Sequence, residues 1–325
     1  MKLSALILLS FAPIFEVAAD NKPPLKIVHL GDSYSSGNGA SEVDGDGWYG
    51  PKWCFRNKYN WGQQAAHKAF GDDFSVTYDN VACSGGVMKH VMESRELQFD
   101  VPCSSKSRSK DHSLGPPKGN ENDPNPQCSN AVAPQIDAIG KQTDLVFLTI
   151  GGNDAGFGDI ANLCFINKIY HPKNRKYVGG GTKKECTKRT DIALQDIAKD
   201  FSNNFRELLI EITKRMPSHG KVVVVAYPNL ALDTKSSDNR NVRKLIAVAA
   251  KKQREVIDKV NNELDGEEMV LLYTGAIDSF SSHEAVTFRR LFLAFPKANK
   301  DGWFVEFRGF LDRNIGSEPA KKKVR

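Results

Sequence analysis

Three short stretches carry residues whose types and spacing can do chemistry. The first is Gly31-Asp32-Ser33-Tyr34-Ser35-Ser36-Gly37-Asn38, which follows the apolar run Lys26-Ile27-Val28-His29-Leu30. The second is Ala82-Cys83-Ser84-Gly85-Gly86, and the third is Thr149-Ile150-Gly151-Gly152-Asn153-Asp154. Each ends a strand-like run. A serine between glycine and small polar residues at such a point can present its hydroxyl as a nucleophile. It then needs a base to take its proton and donors for the oxyanion formed when it attacks a carbonyl. The sequence offers the backbone N–H of Ser33, the N–H of Gly85 and the side-chain amide of Asn153 as those donors. A lone Gly-Asp-Ser also reads as an ordinary turn, so the weight lies in the three stretches together.

The elements that must position these loops follow from periodicity. Strand-like runs occur at Lys26–Leu30, Phe74–Ala82, Leu145–Ile150, Val222–Ala226 and Met269–Tyr273. Helix-like stretches lie between them at Trp61–Phe70, Val132–Gly140, Asp191–Arg215 and Asn241–Leu264. Alternation of nearly continuous apolar strands with helices predicts a parallel sheet covered on both faces. In the third helix, Ile192, Leu194, Ile197, Phe201, Phe205, Leu208, Leu209 and Ile212 form the expected core-facing stripe. Ligands bind at the carboxyl edge of such sheets, where all three loops fall. Two long stretches, residues 100 to 130 and 165 to 189, interrupt the alternation and are expected to shape access to that edge.

The start of the 325-residue chain reads as a secretory signal peptide over residues 1 to 19. Lys2 gives a positive start, Leu3 to Phe15 is apolar, and Val17-Ala18-Ala19 is a small-residue cleavage site. The apolar part is shorter than the ~20 residues a spanning helix needs, so secretion without stable membrane insertion is expected. Residues 20 to 325 suit one α/β domain, with no linker or repeat to divide them. The six cysteines fit an oxidising compartment. Many pairings are possible; nearest neighbours (Cys54 with Cys83, Cys103 with Cys128, Cys164 with Cys186) each close a loop of about two dozen residues, worth about 3 kcal/mol. A zinc site would want a Cys-x-x-Cys spacing, which the sequence lacks. The formal charge of +6 includes Lys183-Lys184 and Lys321-Lys322-Lys323, but no aromatics interleave these runs as a nucleic-acid surface would require.

Gly31-Asp32-Ser33, Gly85 and Gly152-Asn153-Asp154 resemble the first three signature blocks of the SGNH (GDSL-type) hydrolases. The surroundings of Trp53-Cys54 and Ala82-Cys83-Ser84-Gly85, with the six cysteines, resemble their secreted esterase and lipase branch. The resemblance spans residues 25 to 278. It implies a three-layer α/β/α, flavodoxin-like fold with a five-stranded parallel sheet and disulfide-stapled loops. It also implies hydrolysis of carboxylic esters, of lipid or acylated-carbohydrate type, through an acyl-serine and without metal or organic cofactor. Carried over position by position, Ser33 is the nucleophile, and Gly85 and Asn153 complete the oxyanion hole. The branch also resembles this chain in three consecutive cysteine pairs.

The base is where the sequence departs from the family, whose histidine stands near the C-terminus. Of seven histidines, His29 falls in the first strand and reads as packed. His67 and His90 fall in helical regions, and His112 and His219 in loops. His171 precedes a proline as in the family but lies mid-chain. His283 follows the last strand, yet Phe280 replaces the aspartate of the family's Asp-x-x-His pattern. The segment Gly309 to Arg325 carries no apolar helix, so the domain reads as incomplete at that end. A binding protein that keeps the pocket and lacks the base is the rival reading from another class. A phosphate- or flavin-binding protein fits less well, because the first loop lacks phosphate-loop spacing.

Overall fold

The computed structural model describes residues 22–40, 47–102, 114–118, 127–165, 169–171, 176–178, 180–228, 237–264 and 270–274. The expected signal peptide (residues 1 to 19), Cys103, His112, His283 and the lysine-rich tail lie outside them. In chain order the strands are β1 (Pro24–Gly31), β2 (Trp48–Tyr49), β3 (Arg56–Asn57), β4 (Ser75–Asn80), β5 (Arg95–Pro102), β6 (Leu114–Lys118), β7 (Gln127–Val132), β8 (Leu145–Thr149), β9 (Ile169–His171), β10 (Lys176–Val178), β11 (Lys221–Val225) and β12 (Val270–Thr274). The α-helices are α1 (Ser33–Ser36), α2 (Trp61–Phe70), α3 (Met88–Met92), α4 (Phe157–Phe165), α5 (Lys183–Asp196), α6 (Ser202–Arg215) and α7 (Ser237–Glu263).

Five strands form one parallel sheet in the order β12-β11-β8-β1-β4. Each of the five expected strands is present, with ends moved by a residue or two. Side chains alternate between two apolar layers, as the strand period requires. Val28, Leu30, Val146, Leu148, Val222, Val224 and Leu271 face α3, α5, α6 and α7. Ile27, Leu145 and Phe147 face Ala66 of α2. The result is a three-layer α/β/α domain of flavodoxin-like order. On the α2 side the cover thins toward β12, where Val270 and Leu272 are exposed.

Helix α2 has the predicted bounds, capped by the Asn60 side chain, which accepts the Gln63 N–H. The expected helix at Val132–Gly140 is instead the end of β7 followed by a 3₁₀ turn, Gln135–Ala138. Pro134 at its N-cap imposes an extended backbone on the residue before it. The long third helix begins at Lys183, where Thr182 and Glu185 form a capping box, and a π turn over Ile197–Phe201 interrupts it. That turn alters the helical phase. Phe205, Leu208, Leu209 and Ile212 are buried as predicted, whereas Ile192 is 39% exposed and Cys186, Thr190 and Ala193 face inward in its place.

The stretches that interrupt the alternation are not plain loops. β5, β7 and β6 make a small antiparallel sheet, and β9 pairs with β10 as a hairpin. Disulfides join Cys54 to Cys83 and Cys164 to Cys186. The third expected pair involves Cys103 and lies outside the described residues.

Candidate active site

The strand order places β1 between β4 and β8; within the sheet the chain leaves β1 for β4 on one side and leaves β8 for β11 on the other, so the connections diverge between β1 and β8. Such a switch point opens a crevice at the carboxyl ends of the strands. Ser33 follows β1, the Ser84–Gly86 loop follows β4, and Asn153 follows β8. Three neighbouring strands therefore deliver the three expected site residues to one edge. Ser33 and Asn153 are half-buried, and Gly85 is exposed.

Local bonds hold the first loop in place. Asp32 caps α1, its carboxylate accepting the Tyr34 N–H at 3.0 Å. The Asp32 N–H donates to the Thr149 carbonyl at 3.2 Å, tying the turn to the end of β8. Ser35 sits beneath, its hydroxyl accepting the Thr149 N–H at 3.2 Å. Gly31 has φ of +133°, and a Cβ there would fall onto the Thr149 carbonyl oxygen and the Ser35 side chain. No other residue type fits the bend that starts the serine turn.

The second loop is tied to the first and braced from below. The Cys83 N–H donates to the Gly31 carbonyl at 3.0 Å, and the Gln135 side chain brackets Gly31, accepting its N–H at 2.7 Å and donating to its carbonyl at 2.9 Å. The Ser84 N–H donates to the Cys54 carbonyl at 3.1 Å, beside the Cys54–Cys83 disulfide. Arg95 donates to the Ser84 carbonyl at 2.7 Å. Gly85 adopts φ of +72°, which favours glycine.

The third loop is joined to both. The Asn153 amide donates to the Gly86 carbonyl at 2.8 Å, and the Asp154 carboxylate accepts the Met88 N–H through both oxygens at 3.2 Å. From the other side, the Tyr227 hydroxyl accepts the Gly152 N–H at 3.0 Å and donates to the Asp32 carboxylate. Burial pushes the Asp32 carboxyl up to about 7, against the pull of the Tyr227 and Tyr34 bonds. Burial also raises Asp154, and burial together with Asp32 drives the Tyr227 phenol well above its ordinary range.

Sequence reading missed Tyr227, Gln135 and the separate part played by Asp32. The signal for Tyr227 was present: Ala226-Tyr227-Pro228 ends an apolar strand as the three loops do. The histidines are distributed as follows. His29 is buried and bonded to the Tyr78 hydroxyl at 2.5 Å. His219 meets Asp144 at 3.6 Å, at the amino-terminal end of β8. His90 accepts the Val87 N–H at the start of α3 at 3.3 Å. His283 lies outside the described residues.

No family model matches the chain. It is 28% identical to lipase 2 of Streptomyces coelicolor over 211 residues, covering 65% of this chain and 55% of that protein. It is 25% identical to a lipase of Streptomyces rimosus over 229 residues, covering 69% of this chain and 62% of that protein. The chain thus spans less than two thirds of either relative. The crystal structure of an extracellular lipase from Streptomyces rimosus superposes with a TM-score of 0.50 at 21% identity, covering 80% of this chain and 83% of that one. That of phospholipase A1 from Streptomyces albidoflavus gives the same TM-score and identity, covering 84% and 90%. In sequence the chain is thus similar to Streptomyces lipases and in fold to the lipase and phospholipase structures, and its switch-point loops carry the blocks that resemble the SGNH (GDSL-type) hydrolases.

Proposed function

We propose that this protein is a secreted serine ester hydrolase acting on carboxylic esters of lipid or acylated-carbohydrate type. One observation carries the reading: Ser33 and Asn153 flank the switch point of the parallel sheet, with the Ser84–Gly86 loop bonded to both of their loops. In this reading the Ser33 hydroxyl oxygen attacks the ester carbonyl carbon, and a histidine takes its proton. The N–H groups of Ser33 and Gly85 and the Asn153 amide bind the oxyanion. The amide has two hydrogens; with one on the Gly86 carbonyl, the other is aimed by that anchor and remains for substrate. Collapse of the tetrahedral intermediate expels the alcohol, which takes up the proton, and water then releases the acid from the acyl-serine.

Among the described residues no histidine is bonded to Ser33, so the reading assigns the base outside them, with His283 as its candidate. Secretion is supported by the sequence of residues 1 to 19 and by the disulfides. Among the described residues no helix is long and apolar enough to cross a membrane.

The test is hydrolysis of a short-chain chromogenic ester by the protein and by Ser33→Ala. Turnover that vanishes in the variant is expected. An equal rate in both would remove Ser33 from the mechanism, and no turnover by the folded parent protein would favour a binding role.

A further inference from the structure

One buried carboxyl group at the sheet edge is left unused by the proposed mechanism. Asp32 is only 2% exposed, yet it adjoins Ser33 in the chain. One carboxylate oxygen accepts the Tyr34 N–H and the other accepts the Tyr227 hydroxyl. Tyr227 comes from the far end of β11, and its oxygen also accepts the Gly152 N–H, one residue before Asn153. The aromatic ring of Tyr34 lies 6.0 Å from that of Tyr227 and helps to fix it. A single phenol therefore joins the loop bearing the serine to the loop bearing the asparagine.

We propose that Tyr227 is a positioning residue for ester hydrolysis, holding Ser33 and Asn153 in register by donating to Asp32 and accepting from Gly152. The inference rests on the ester-hydrolase reading. Its physical content is twofold. Without the phenol hydroxyl, the Gly152 N–H and an Asp32 oxygen lose their partner together, in a place with little water to replace it. The phenol also spreads the Asp32 charge away from the Ser33 backbone, where negative charge develops on the substrate oxygen during attack. Among the described residues the ionisable groups facing Asp32 are Tyr227 after β11, Tyr34 in α1 and Asp154 after β8.

Tyr227→Phe keeps the ring and removes the hydroxyl. The expected result is a fall in kcat of about ten- to hundred-fold with KM little changed, the size set by leaving buried polar groups unpaired beside the reacting centre. A purely structural role would not move a second readout, the titration of Asp32. Followed by the infrared band of its protonated carboxyl, identified by loss in Asp32→Asn, it should shift to higher pH in Tyr227→Phe. An unchanged kcat or an unchanged titration would overturn the proposal. Should that variant not fold, 3-fluorotyrosine at position 227 keeps the shape and strengthens the donor; the Asp32 titration should then move to lower pH, and an unmoved titration would overturn the proposal. The titration needs no turnover, whereas Ser33→Ala tests the ester-hydrolase reading itself, so the two ideas fail separately.

Discussion

The side-chain amide of Asn153 donates to the main-chain carbonyl of Gly86 at 2.8 Å, joining the loop after β8 to the loop after β4. The bond fixes the amide plane before any substrate arrives. Asn153→Ala removes both this tie and the proposed oxyanion donor. The expected outcome is a loss of about 10²–10³ in kcat, the usual effect of deleting one such donor. Steady-state kinetics on a soluble ester would check it, and a variant within about threefold of the parent would remove Asn153 from the oxyanion hole.

His29 should make the fold acid-sensitive. The Tyr78 hydroxyl gives its hydrogen to Asn60, so the His29 Nδ1 donates to Tyr78, and the buried Nε2 has no partner among the described residues. A second ring proton would have no acceptor, and burial lowers the group from 6.5 to about 3. The folded state therefore binds fewer protons than the unfolded chain between these values. Stability is full above pH 6.5 and falls as pH drops, by about 1.4 kcal/mol per pH unit. Melting temperatures of the protein and His29→Gln between pH 7 and pH 4.5 should converge as the pH falls; parallel curves would disprove the account.

Asp32 acts with the opposite sign. Burial raises it from 3.8 to about 7, so its protonated form is favoured in the fold, and stability is lost as pH rises through that window. Between pH 3.8 and 6.5 the two slopes oppose each other. Asp32→Asn should uncover the His29 slope, giving a protein more stable relative to its parent at pH 8 than at pH 4. Chemical denaturation at the two pH values measures this directly.

The Cys54–Cys83 disulfide holds the loop that carries Gly85, since the Ser84 N–H rests on the Cys54 carbonyl. Cys54→Ser with Cys83→Ser should cost about 3 kcal/mol of stability by freeing the unfolded chain. Because the loop loses its brace, kcat should fall at temperatures where the fold persists. Full activity at 20 °C below the new melting point would confine the disulfide to a purely stabilising role.

Much of the fold was legible because parallel strands buried on both faces read as unbroken apolar runs. Lys26–Leu30 and Val222–Ala226 are such runs, and Trp61–Phe70 carries its own cap in Asn60. The antiparallel sheet of β5, β6 and β7 was not legible, because Leu114–Lys118 contains consecutive prolines and β5 pairs with β7 rather than with the strand that follows it. Ile192 was misplaced because an amphipathic stripe assumes constant pitch, and the π turn changes it. Within the site, Ser33, Gly85 and Asn153 could be picked out because each ends a strand in a glycine-rich stretch. The Asp32–Tyr227 bond could not, since it spans 195 positions and depends on which strands become neighbours.

The π turn also sets a tolerance on the chain. Its last residue, Phe201, puts its ring where a side chain at Gly151 would otherwise stand. A π turn holds one residue more than the α-helical turn it replaces, and it keeps the inward residues before it and those after it on one face. Losing that residue would tighten the turn and draw the Phe201 ring away from Gly151. The long helix is thus a gauge of length. Its middle keeps a residue count set by a glycine in the loop after β8.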